Sequence, residues 1–194
     1  DTFNIGNAQG SNGSFTLAGS SVTAGAETIG GSGSGVLTQT TGTNSVGDFY
    51  LGRESSGDGS YFLNGGNLSA NFETIGINGS GRFTQSSGTH TVNSDLFLGY
   101  VGRGRYDLSG GSLTVNSETI GVFGSGRFTQ DGGTHTVTND LILGRFGGAG
   151  TYTLNNGTLN IGNSVNGSAS GTFNLDRGIL SITGSSVGVG AFTV

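Results

Sequence analysis

Along the whole chain, apolar and polar residues alternate in segments of three to five, and Gly, Asn, Asp and Ser separate the segments. Alternation with period two places every second side chain on one face, and segments this short and rich in Thr, Val, Ile and Phe predict strands, not helices. The segments come in sets of three. A Gly follows the first strand of each set, at Gly6, Gly30, Gly52, Gly76, Gly99, Gly121 and Gly144, spaced 22 to 24 residues apart. A short loop then leads to a second Gly and a strand with an aromatic column: Phe15, Tyr61, Phe83, Tyr106, Phe128, Tyr152, Phe173 and Phe192, with Leu37 in the second place. Two residues further, on the same face, lie Leu17, Gln39, Leu63, Gln85, Leu108, Gln130 and Leu154. A third strand presents Val22, Asn44, Leu68, His90, Leu113, His135 and Leu159 inward.

Three such strands in a unit of roughly 23 residues cannot form an independent core. They can form one coil of a stack, with parallel strands about 4.8 Å apart and every inner column running on through the pile. The sequence therefore predicts an all-β protein, a parallel β-solenoid over residues 1–194 as a single domain. It has three short strands per coil, eight full turns and a partial ninth. The right-handed form is expected because parallel crossovers almost always take that hand.

Two kinds of coil alternate. The clearest copies are ETIGINGSGRFTQSSGTHTV from Glu73 and ETIGVFGSGRFTQDGGTHTV from Glu118, with a looser one from Glu27. These carry an inward polar set: Glu27, Gln39 and Asn44; Glu73, Gln85 and His90; Glu118, Gln130 and His135. The coils between them put Phe49, Leu63, Leu68, Leu96, Leu108, Leu113, Leu141, Leu154 and Leu159 in the same places. A buried polar group left without a partner costs about 1–3 kcal/mol, so each set is expected to be paired internally, Gln85 with His90 or with the turn between them. Catalysis is not expected of these acids and imidazoles, because nothing places a nucleophile or second acid beside them. Nor is a shared metal: His90 and His135 stand two coils apart, about 9–10 Å by strand spacing, too far for one zinc ion.

Composition narrows the partners. Of 194 residues 42 are Gly and none is Pro, Cys, Met or Trp; all seven basic residues are Arg, and net charge is -5. Twelve Phe and five Tyr at fixed spacing argue for a packed fold despite the glycine content. Nucleic acid is not expected as a partner for so acidic a chain, nor is membrane insertion, since no apolar run approaches the ~20 residues of a spanning helix. No cofactor motif is present: the Gly-rich corners lack the Lys-Ser/Thr of a phosphate loop. Without Cys the fold has no disulfide framework.

Outward positions offer two further candidates. Arg82, Arg105 and Arg127 recur in three successive coils, and like charges one strand apart repel; carboxylates of a neighbouring chain are the expected partners. Thr43/Ser45, Thr89/Thr91, Ser112/Thr114 and Thr134/Thr136 form a hydroxyl row, interrupted at Asn67/Ser69 and Thr158/Asn160. At the ends, Asp1–Gly6 enters a regular first strand and Phe192–Val194 belongs to a regular second one. Edges of this kind are expected to pair between subunits, with Phe3, Ile5, Phe192 and Val194 at the junction.

The ETIG and LFLG or LILG segments, the GRFTQ strands and the GTHTV strands together resemble the strand repeats of bacterial autotransporter passenger domains and related surface or matrix adhesins. That resemblance implies export to the cell surface, a role in adhesion or matrix building, and no enzyme activity. The leading expectation is a structural subunit of an extracellular bacterial fibre or biofilm matrix that assembles head to tail with itself. The alternatives are a monomeric surface adhesin that binds glycans or surfaces, and an ice-binding protein that uses the hydroxyl row. Sugar cleavage would need acids clustered in an outer groove, whereas the acids here fall at corners or inside.

Overall fold

The computed structural model describes residues 1–184 and 186–194. The chain winds into an all-β parallel solenoid of about 9 turns, each roughly 22 residues long, with no helix among the described residues. Every strand pairs in parallel with its counterpart one coil away. The strands after the second glycine form a nine-stranded sheet, which runs through Asn12–Leu17, Ser34–Gln39, Asp58–Leu63, Ser80–Gln85, Arg103–Leu108 and Ser125–Gln130 towards the C-terminus. The first and third strands of the coils make up a twelve-stranded sheet.

The third strand of one coil and the first of the next are often a single bent strand, as in Thr43–Leu51 and Thr89–Leu98. No positive-φ glycine separates them, although Gly47 occupies this corner in the first of the two. Extended backbone can turn this corner by a local shift of register, here between Val115 and Ser117. Further on the two separate, as at Thr134–Val137 and Asp140–Leu143.

Glycine governs the corner after the first strand. Gly76 has φ of 78°, and a Cβ there would lie 2.1 Å from the carbonyl oxygen of Arg103 in the next coil. Both the left-handed backbone and the close approach exclude a side chain. Loop backbone joins the ladder as well: the amides of Tyr100 and Val101 donate to the carbonyls of Gly76 and Ile77 at 2.9 and 2.7 Å.

Inside, the columns stay in register. Tyr61, Phe83, Tyr106, Phe128, Tyr152 and Phe173 succeed one another as direct partners. Centroids of Phe83, Tyr106, Phe128 and Tyr152 lie 4.6–4.8 Å apart with planes within 9° of parallel. That distance is the strand spacing itself, so parallel pairing in register forces the rings to stack. The column loosens at its ends: Phe15 is half-buried, edge-on to Phe3, and Phe192 is 42% exposed over Phe173.

Candidate functional site

Each inward polar set is fully buried, and its members occupy the columns that alternate with the apolar ones: Glu73 lies between Phe49 and Leu96, Gln85 between Leu63 and Leu108, His90 between Leu68 and Leu113. The structure joins the set through a residue from the next coil. The Tyr106 hydroxyl lies 2.6 Å from Gln85 Oε1 and 2.9 Å from His90 Nδ1, and His90 Nε2 lies 2.8 Å from Glu73 Oε2. Gln85 and His90 therefore do not bond each other, as one form of the sequence reading allowed; the tyrosine bridges them. Gln85 does bond the turn between them, donating from Nε2 to the Gly88 carbonyl at 3.2 Å, and it also donates to Ser112 in the next coil at 3.0 Å.

Those two carbonyls fix every hydrogen-bond direction that follows. They accept only, so the Gln85 amide group must face them and its oxygen must face the tyrosine. Tyr106 then donates to Gln85, and its oxygen accepts from Nδ1–H of His90. That leaves Nε2 facing the carboxyl of Glu73, although Nε2 and Oε2 do not meet hydrogen-bond geometry. The imidazole ring is clamped as well, stacked 4.8 Å from Phe83 and 6.0 Å from Tyr106.

The arrangement recurs at Glu118, Gln130, His135 and Tyr152. Here Tyr152 donates to Gln130 at 2.6 Å, His135 Nδ1 lies 3.0 Å from the Tyr152 hydroxyl, and Nε2 lies 3.5 Å from Glu118. Burial pushes the Glu118 carboxyl well above its usual range, with the Glu73 charge adding to the effect. Burial first, and then His90, lower His135 to about 3. Both shifts favour neutral partners, so the proton sits on the acid. Neither Glu118 oxygen nor His135 Nε2 has a hydrogen-bond partner beyond their 3.5 Å approach, an arrangement far less costly for a neutral pair than for an ion pair.

Asn44 solves the same problem differently. Its side-chain amide donates to Glu27 Oε2 at 2.8 Å and to the Tyr61 hydroxyl at 3.3 Å, and Tyr61 in turn donates to Gln39. An asparagine brings both protons itself, so Glu27 accepts where Glu118, facing a neutral imidazole, keeps a proton of its own. Burial raises Glu27 to about 7, the Asn44 hydrogen bond opposing the rise.

Sequence reasoning placed the nine polar residues but gave Tyr61, Tyr106 and Tyr152 only a packing role. The signal was present: in the aromatic column Tyr occupies the apolar coils and Phe83 and Phe128 the polar ones, so hydroxyls recur in phase with the sets they serve.

On the outer face, Arg82, Arg105 and Arg127 align as direct partners. Contrary to the expectation of a neighbouring chain's carboxylates, Asp107 of the same chain takes two of them: Arg82 at 3.1 Å and Arg105 at 2.8 Å. Arg127 instead donates to Thr129 at 3.3 Å. Ile5, expected at a junction between chains, is buried in its own core, whereas Phe3 is half-buried and Phe192 and Val194 are exposed. Among the described residues no three His, Cys, Asp or Glu side chains gather as a metal set, and no helix is long and apolar enough to cross a membrane.

No family model matches the chain, and neither a curated protein nor a solved structure matches it.

Proposed function

We propose that the chain is a structural subunit of an extracellular bacterial fibre or matrix, extended coil upon coil along the solenoid axis. The observation that carries this reading is the unbroken register: Phe15 through Phe192 form one column, and the backbone ladder beside it repeats in every coil. A coil of this kind can be extended only along its axis, where the next coil would receive the same hydrogen bonds and the same ring stack. At the two faces Phe3 and Phe15, and Phe192, are the partly uncovered members of inner columns, and Val194 is exposed beyond the last paired residue. The head-to-tail reading covers them with a second copy. The extracellular setting rests on the likeness of the repeats to autotransporter passengers and matrix adhesins.

Negative-stain imaging of the purified chain tests the proposal. Threads of uniform width, lengthening with protein concentration and shortened by Phe192→Asp, are the expected result. Isolated particles about 40 Å long, eight or so strand spacings, at every concentration would overturn it. The ice-binding alternative has weaker support, because Asn67 and Asn160 interrupt the hydroxyl row; thermal hysteresis measures it directly.

A further inference from the structure

Four of the seven arginines in this acidic chain gather on one outer face. Arg82, Arg105 and Arg127 form a row across three coils, and Arg103, two residues before Arg105, stands beside it. All four line a shallow groove of about 500 Å³ that runs over the Gly81, Gly104 and Gly126 column. Asp58 lines the groove too, and Asp107 engages only Arg82 and Arg105. Four guanidiniums against two carboxylates leave this face positive on a molecule of net charge -5. Charges of one sign a strand apart repel, and Arg103 and Arg127 have no carboxylate partner among the described residues.

The corner that precedes these strands carries a second unexplained feature. Tyr100, Phe123 and Phe146 follow the corner glycines of three successive coils and are 38, 52 and 64% exposed. Their centroids lie 5.7 and 5.3 Å apart along the axis. Phe146 is the one non-glycine residue with positive φ among those described, at 48°. It sits with Gly147 in the tight turn Arg145–Gly148, closed by a 2.8 Å backbone bond, where Asn or Gly is the low-strain choice. A bulky ring held exposed at a backbone cost marks a position selected for something other than folding. The rings themselves line neither depression, but a second one that shares Ser80, Arg103 and Ser125 with the arginine groove is lined by Val101 and Gly124, the chain neighbours of Tyr100 and Phe123.

From this juxtaposition we infer that the face binds a linear carboxylated polysaccharide along the solenoid axis. The apolar C–H faces of the sugars cover the aromatic row, and the carboxylates enter the arginine groove. Guanidinium is the planar donor matched to carboxylate, and the exposed ring edges of the aromatic row remove apolar sugar surface from water. The rows repeat every ~4.8 Å, comparable to the advance of one sugar in an extended chain. Nucleic acid fits less well, because successive rings touch and leave no gap for a base. The inference does not depend on fibre assembly, since single chains and threads present the same face.

Calorimetric titration of the full chain with oligogalacturonate and oligomannuronate, with methyl-esterified oligogalacturonate and oligo(dT) as comparators, tests it. The expected result is binding of a carboxylated oligomer that weakens with added salt, and at least roughly tenfold weaker binding of the ester. Arg103→Gln with Arg127→Gln, neither of which touches Asp107, should weaken binding by about tenfold or more at an unchanged Tm. Phe146→Asn should weaken binding while raising Tm, which a residue placed for packing would not do. Absence of binding to either acid oligomer at low salt, tighter binding of oligo(dT), variants that bind like the parent, or a lower Tm for Phe146→Asn would overturn the inference.

Discussion

Replacing His135 by asparagine, the residue that Asn44 already supplies in the same column, isolates the proton held with Glu118. In the folded parent the pair carries one proton, on the acid. In the unfolded chain it carries none above about pH 6.5, one between 6.5 and 4.5, and two below 4.5. Stability changes by about 1.4 kcal/mol per pH unit for each proton by which the two states differ. The parent pair therefore contributes a plateau between pH 4.5 and 6.5. It loses stability above 6.5, where only the folded state holds a proton, and below 4.5, where the unfolded state holds the extra one, until the folded imidazole protonates at about 3. In the variant only the acid remains. Its raised folded value makes its contribution greatest below pH 4.5 and diminishing as pH rises, the behaviour expected of Glu27, whose folded value is about 7. Between pH 6.5 and 5 the variant should thus gain about 2 kcal/mol relative to the parent. Urea unfolding followed by far-ultraviolet circular dichroism and by tyrosine fluorescence, in a chain with five Tyr and no Trp, measures this difference, and the other titrating groups cancel. A difference independent of pH over that interval would show that the buried imidazole is not held neutral, and would refute the proton assignment.

Two further outcomes follow from the packing. Gln85→Leu introduces the residue of the neighbouring coils but strips the acceptor from Tyr106 and the donors from the Gly88 and Ser112 carbonyls; it should cost about 2–4 kcal/mol. In a double-mutant cycle with Tyr106→Phe the coupling should be about 1–2 kcal/mol, and additivity in urea melts would contradict the network. Gly76→Ala, whose Cβ would press on the Arg103 carbonyl at a φ of 78°, should destabilise by about 3 kcal/mol or more, read as a lower thermal midpoint.

The alternation of single residues already determined the strands, the coil, the stacking direction and the membership of the inner columns. These are local consequences of period two and of a repeat too short to fold alone, which is why Glu27, Gln85 and His135 could be placed inside before any coordinates. The same logic reached the alternation of polar and apolar coils. It stopped where a contact depends on which atom of the next coil comes within reach. Tyr106 bridges Gln85 and His90 because register superimposes their columns, and Asp107 captures Arg82 and Arg105 because it stands one column over on the same outer face. Neither relation is visible in the spacing along one strand. The corner loops were the least legible part: they vary in length, obey no alternation, and only the folded backbone turns Tyr100, Phe123 and Phe146 outward into one row. Periodicity fixes the interior because water is excluded there from every coil alike, whereas the surface chemistry depends on loop backbone and on distances across coils that only the tertiary structure sets.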